Sequence, residues 1–388
     1  MAAWTDRHGM GRPVGRRAFL ATVGAVALAG CTGGSESDAP AGFAAEPTPT
    51  RVGTTTGTTT GSTAAGPPMV SERLPLPLEP AAISERAVSG GPPKDGIPSI
   101  DEPSFVSAGE AGDLLAPGDP VFGLATADGV KAYPQSILVW HEICNDVVGD
   151  TPVSVTYCPL TGTAMGFVRG ETTFGVSGRL VNNNLIMYDR ATETWWPQVL
   201  ATAVPGPWNE RPRIGSLTEF RLVWTSWERW RAAYPETRVL SRETGYARNY
   251  DRDPYGSYDP PEGYYAPDER PLFSTLSEDD RLPPKQVVIG ARTPSGAAAF
   301  EKDRLRDAKL VDGELGGAPV LAAYDAGLDT GYVYRNPDGA SFEHRDGQVV
   351  GDGGTAQPPD ALPLDSVLAF DAMWFAWSGF YPDTTLYA

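Results

Sequence analysis

The sequence predicts a strand-rich α+β fold made of two pseudo-symmetric duplicated units that form one compact region. Three observations lead there. The string VFGLATADG at 121–129, followed by Ala132 and Tyr133, is echoed by VIGARTPSG at 288–296, followed by Ala299 and Phe300. Gly123 and Gly129 precede Gly290 and Gly296 by the same 167 residues, and this offset also pairs Tyr157 with Tyr324 and Phe167 with Tyr334. Self-similarity at a fixed spacing marks a repeated structural unit. The ends match as well: Trp227, Trp230, Tyr234, Pro235 and Thr237 return as Trp374, Trp377, Tyr381, Pro382 and Thr384 at an offset of 147. The first unit therefore carries 20 extra residues (167 − 147), expected between Arg179 and Gly206.

The elements follow in chain order. Residues 1–30 read as an export signal, with a basic start (Arg7, Arg12, Arg16, Arg17) and a mildly apolar run from Ala18 to Ala29. At about 1.5 Å of rise per residue this run cannot cross a hydrocarbon core of about 30 Å. Arg16 and Arg17, ahead of Phe19 and Leu20, resemble a twin-arginine export motif. Such a motif implies that the domain folds, and takes up any cofactor, before export. Leu28, Ala29, Gly30 and Cys31 resemble a lipobox, in which cleavage leaves Cys31 as a lipid-modified N-terminus. The expected location is the outer face of the cytoplasmic membrane, with membrane lipid and the export machinery as partners.

Residues 31–102 are expected to form a flexible Thr/Gly/Pro stalk, its Pro- and Gly-rich end lying along the domain surface. The first unit spans 103–241 and the second 287–388. Each is expected to run strand, turn, strand, helix, strand, turn, strand, and to close on a helix. Trp227, Trp230 and Tyr234 form one apolar stripe of that closing helix, which is core packing. Pro235 and Pro382 stop the two helices. Between the units, 242–286 is rich in Tyr, Pro and Asp and reads as a long ordered loop over their interface. Long loops of this kind are more often functional than short ones.

Composition narrows the partners. The net charge of −18 becomes −21 without residues 1–30, which hold four Arg and one Asp (27 basic against 48 acidic residues). Such a field disfavours nucleic acid and anionic membrane surfaces. Only five of the 31 basic residues are lysines (Lys94, Lys131, Lys285, Lys302, Lys309). An acidic, lysine-poor surface suits high salt and points to a halophile.

Chemistry is expected in the first unit, because only it carries the reactive residues. In the second unit Ala308 stands for His141, Lys309 for Glu142, Val311 for Cys144 and Asp325 for Cys158. The strand through Val153, Val155 and Tyr157 alternates, which puts Cys158 at its end on the more polar face, entering a Pro159–Gly162 turn. A cysteine there is expected to be exposed. The segment from Pro134 to Asp146 reads as a helix that brings His141 and Cys144 to one face. Three readings stay open: a Cys144–Cys158 disulfide, a Cys158 nucleophile with His141 as base and Glu142 orienting it, or a metal held by Cys158, His141 and Cys144 with His344 or water as fourth ligand. In the extra segment Asn183, Asn184, Tyr188, Asp189, Trp195 and Gln198 are candidates to line a small-molecule ligand site. A non-enzymatic protein binding a small ligand or a metal is the rival to the thiol enzyme.

His141-Glu142, the YCPLTGT string at 157–163, FGVSG at 174–178, Met187-Tyr188-Asp189-Arg190 and the closing Tyr381–Thr384 resemble the domain-of-unknown-function 3179 family, over roughly Phe122 to Ala388. The family has no established activity. Some members are labelled selenoproteins, which implies a redox role at a cysteine position, with Cys158 as the candidate. Cys144 departs from the aliphatic residue commoner in the family, which favours the lone thiol over the disulfide or the metal.

Overall fold

A computed structural model describes residues 65–112 and 114–388 of the chain. Arg16, Arg17, Cys31 and residues 31–64 of the expected stalk lie outside the described residues. The described chain is strand-rich with short helices.

Residues 120–168 form the strands Pro120–Thr126 and Gly129–Pro134, the helix Gln135–His141, and the strands Ile143–Val148, Thr151–Cys158 and Thr163–Val168. The same element types and lengths follow 167 residues later, as Val287–Thr293, Gly296–Glu301, Lys302–Ala308, Leu310–Leu315, Ala318–Asp325 and Thr330–Arg335. Strand Glu219–Phe220, helix Trp227–Ala233 and strand Arg238–Leu240 likewise match Ser366–Val367, Trp374–Phe380 and Thr385–Tyr387 at an offset of 147.

Strand pairing matches too. In each half Gly129–Pro134 or its counterpart Gly296–Glu301 lies between an antiparallel partner and a parallel one, the parallel partner being the strand after the closing helix. In each half a second antiparallel sheet is built on the eight-residue strand Thr151–Cys158 or Ala318–Asp325.

Local chemistry explains the shared shape. A Cβ on Gly123 would lie 2.1 Å from the Trp230 ring, and one on Gly290 would lie 2.3 Å from Trp377. Only glycine lets the closing helix settle on its sheet there. Each tryptophan then donates its Nε1–H to a threonine beyond the helix, Trp230 to Thr237 at 3.0 Å and Trp377 to Thr384 at 2.9 Å.

Three expectations need correction. The helix expected over Pro134–Asp146 stops at His141, because Glu142 takes a left-handed conformation (φ 57°) and the β-branched residues beyond it pair as a strand. Cys144 therefore sits on a strand opposite Val155, and shares no helix face with His141. The strand Thr151–Cys158 is covered on both faces. Val153, Val155 and Tyr157 enter one apolar cluster and Cys158 enters another, so Cys158 is buried rather than exposed. The described end of the expected stalk is packed as well. Val88–Ser89 pairs with Leu180–Arg179, and Ile83, Ile97 and Ile100 are buried. Scattered isoleucines anchor a proline-rich string that has no helical or strand period to announce it.

The first half's extra residues fall between Val168 and Glu219, where the hairpin Phe174–Val181/Asn184–Asp189 and the strand Trp195–Pro197 are built. Asn182 and Asn183 make its two-residue turn with φ of 51° and 61°, the left-handed pair a tight hairpin needs.

The halves are joined by two arginines, Arg292 buried and Arg221 half-buried. Arg292 of the C-terminal half donates through Nη2 to Glu219 Oε1 at 2.7 Å and to Val199 O at 2.9 Å. Arg221 of the N-terminal half donates to Ala369 O, Thr330 Oγ1 and Gly331 O at 2.6–2.9 Å. Burial raises the Glu219 pKa despite the neighbouring guanidinium, so desolvation outweighs the attraction. Removing one partner strands the other. Glu219→Gln is expected to cost about 3–5 kcal/mol, read as a lower denaturant midpoint. The double variant E219M/R292M should regain most of that loss.

Candidate functional site

The structure commits each polar atom of His141 to the fold. His141 is fully buried at the end of its helix. Its Nδ1 lies 2.8 Å from Pro98 O, which can only accept, so Nδ1 carries the proton. Nε2 then accepts from the Tyr250 hydroxyl at 2.7 Å, and that hydroxyl lies 2.6 Å from Thr244 Oγ1. Burial lowers the His141 pKa to about 4, which keeps the ring neutral. His141 thus ties the 98 segment and the Tyr-rich loop to the helix. No hydrogen bond joins it to Cys158.

Cys158 is 1% exposed. Its sulfur accepts from Leu185 N at 3.4 Å and faces Asn183 O at 3.6 Å. Burial, with the nearby Glu142 carboxyl adding to it, pushes the thiol up to about 11, the reverse of what a thiolate nucleophile needs. Cys144 is also free and fully buried, so the two cysteines form no disulfide. Among the described residues no three His, Cys, Asp or Glu side chains converge to hold a metal, which removes the expected Cys158–His141–Cys144 centre.

Glu142 differs from its neighbours. It is 6% exposed, it takes the left-handed cap, and burial raises its carboxyl to about 8. Among the described residues nothing donates a hydrogen bond to that carboxyl.

The expected ligand-lining residues work as fasteners. Asn183 exchanges two hydrogen bonds with the backbone of Phe273, at 2.9 and 2.8 Å, so its amide stands in for a strand partner. Asn182 does similar work between Ala376 O and Leu276 N. Asn184 and Gln198 share a buried network with Thr156, Thr161 and Thr163. Tyr188 donates to Asp95, and Asp189 accepts from Trp196 Nε1 and Thr192. Trp195 is buried edge-on against Trp208.

The space for a ligand lies elsewhere. A cleft of about 380 Å³ opens between the two halves and the Tyr-rich loop. Gly162, Trp224 and Arg229 line it from the N-terminal half, and Tyr258, Asp259 and Tyr265 from the loop. Lys285 at the end of the loop also lines it, and Lys302, Arg306, Asp329 and Asp371 line it from the C-terminal half. Its aromatic wall is rigid: Tyr258 and Tyr265 stack at 3.8 Å, and Trp224 meets Tyr258 edge-on at 5.2 Å. Tyr258 bonds the Tyr157 hydroxyl at 2.8 Å, while Tyr265 and Gln135 both donate to Asp253 Oδ2, at 3.0 and 2.7 Å. Lys302 pairs with Asp371 at 2.7 Å and Arg306 with Asp329 at 3.1 Å.

Of the cleft residues, the sequence points to the Tyr-rich loop and to the turn at Gly162. Lys285 left one readable signal, as the single lysine of the connecting loop in a chain with five. Trp224 left none, because one tryptophan outside a helical stripe looks like core.

The chain belongs to the family described as protein of unknown function DUF3179, whose model matches residues 94–384. No curated protein and no solved structure matches the chain. Family membership therefore brings a shared domain and no reaction.

Glu142 sets a pH dependence. Its folded pKa of about 8 stands above the ordinary 4.5, so the fold holds a proton that the unfolded chain releases. That stabilisation is fully present below pH 4.5 and is lost as the pH rises through about 8. Glu142→Gln is expected to remove this alkaline slope and to exceed the parent at pH 9 by on the order of a few kcal/mol, measured by denaturant unfolding across pH.

Proposed function

We propose that this is an exported, lipid-anchored protein that binds a small organic ligand in the cleft between two duplicated units. One observation carries the reading: an open cleft of about 380 Å³ combines a packed aromatic wall with converging charged side chains. Ligand sites are typically concave, largely apolar and supplied with a few placed polar groups, and commonly fall in the range of about 300–1,000 Å³.

Duplication is supported by the element lengths and pairings that recur at offsets of 167 and 147. Fusing two copies naturally leaves a groove where they meet, and the Tyr-rich loop walls it. The thiol-based redox or transfer reading is the weaker one. Cys158 is buried, protonated and shares no hydrogen bond with His141, and a nucleophile needs access and a base. The surface location rests on the order of Arg16, Arg17, the mild apolar run and Cys31. Among the described residues no helix is long and apolar enough to cross a membrane.

Two experiments test the two parts. Screening small aromatic acids and amines by ligand-observed NMR should give binders that lose about tenfold or more in affinity in Trp224→Ala, since buried aromatic contacts dominate such sites. Binders unaffected by that change, or no binders, would count against the cleft. For the anchor, Cys31→Ser should move the protein from the membrane fraction to the soluble extracellular fraction. Unchanged membrane association would contradict lipidation there.

A further inference from the structure

We propose that Lys285 is a nucleophilic amine of this cleft, and that the ligand it takes is a small carbonyl compound held as an imine. The inference deepens the cleft reading and rests on it.

Lysines in this chain are few, and most are neutralised. Lys94, Lys131 and Lys302 each have a carboxylate within 2.7 Å. Lys285 is 3% exposed, lines the cleft, and has no carboxylate within 4.0 Å among the described residues. Its Nζ donates one hydrogen bond, to Tyr264 O at 3.0 Å, and lies over the Tyr264 ring with Phe375 5.5 Å away. An ammonium in that place would keep unmet donors in an aromatic setting, a costly state. The Tyr264 face and the charge of Glu269 favour the ammonium, but burial outweighs them and lowers the amine to about 6. At neutral pH the nitrogen lone pair is therefore free, the condition that makes a desolvated lysine a nucleophile.

The step balances without any oxidant. The Nζ lone pair forms a bond to the carbonyl carbon. The carbonyl oxygen then leaves as water with the two hydrogens that began on Nζ, giving the C=N bond. Lys302 and Asp371, paired at 2.7 Å, line the same cleft. The aromatic wall suits a carbonyl compound with an apolar face.

The test is reductive labelling of the full chain with propanal and sodium cyanoborohydride at pH 7, followed by peptide mass mapping. Propanal needs no specific recognition to enter the cleft. Lys285 should take the propyl group about tenfold or more ahead of Lys94, Lys131, Lys302 and Lys309, because far more of it is neutral at that pH. Lys285→Met should fold, because it removes a buried amine that has no carboxylate partner, and should lose this early label. Lys285→Arg serves the same purpose should the methionine variant fail to fold. Lys285 left unlabelled while the other four react, in a protein whose cleft still binds the NMR ligands, overturns the imine and leaves the cleft. A protein whose cleft binds none of those ligands overturns both.

Discussion

Two arginines between the halves, Arg292 buried and Arg221 half-buried, hold this fold in its working shape. Arg221 reaches from the N-terminal half to backbone carbonyls of the other, and Arg292 reaches back to Glu219 and Val199 O. A planar guanidinium with five donors can satisfy several carbonyls at once, which a single ammonium on a flexible stem does poorly. Such contacts supply position more than stability, because burying the charges costs nearly what pairing them returns. The distance between the halves, and so the width of the cleft, follows from these crossings.

A second set of fasteners works through amides. Asn182 and Asn183, forced into a tight left-handed turn, offer side chains that pair like backbone with Leu276 and Phe273 and reach Ala376. The same hairpin covers Cys158 through Leu185 N and Asn183 O. The motif that looked reactive in the sequence is thus the seat on which the hairpin rests. His141 does comparable work with Pro98 and Tyr250, and the Tyr-rich loop is bound to the N-terminal half through Tyr157 and Gln135. What these contacts leave open is the space bounded by Trp224, Tyr258 and Lys285.

Much of the fold was legible because it depends on local pattern. Alternation marked the strand Thr151–Cys158, the tryptophan spacing marked both closing helices, and glycines under tryptophan kept the offset constant. The sequence pattern carries the helix past His141, since a left-handed cap at a glutamate has no composition signal. The site was less legible. Cys158 was expected at an exposed turn, but tertiary packing covers that turn: Gly162 abuts Met373 of the other half. Asn183 and Asn184 read in the sequence as candidates to line a ligand, whereas their amides bond protein groups, Phe273 for Asn183 and Thr161 and Gln198 for Asn184. Lys285 becomes chemically distinctive only through what surrounds it, namely Tyr264, Phe375 and no carboxylate.

Most of the charged side chains that line the cleft are paired with one another. In that setting a ligand gains from the aromatic wall and from the one amine left without a counter-charge. The most direct measurement is a crystal of the protein soaked with small aromatic aldehydes and acids. Electron density between Trp224, Tyr258 and Lys285 is the predicted result, continuous with Nζ for the aldehydes. An empty cleft with the same compounds seated elsewhere would contradict the account.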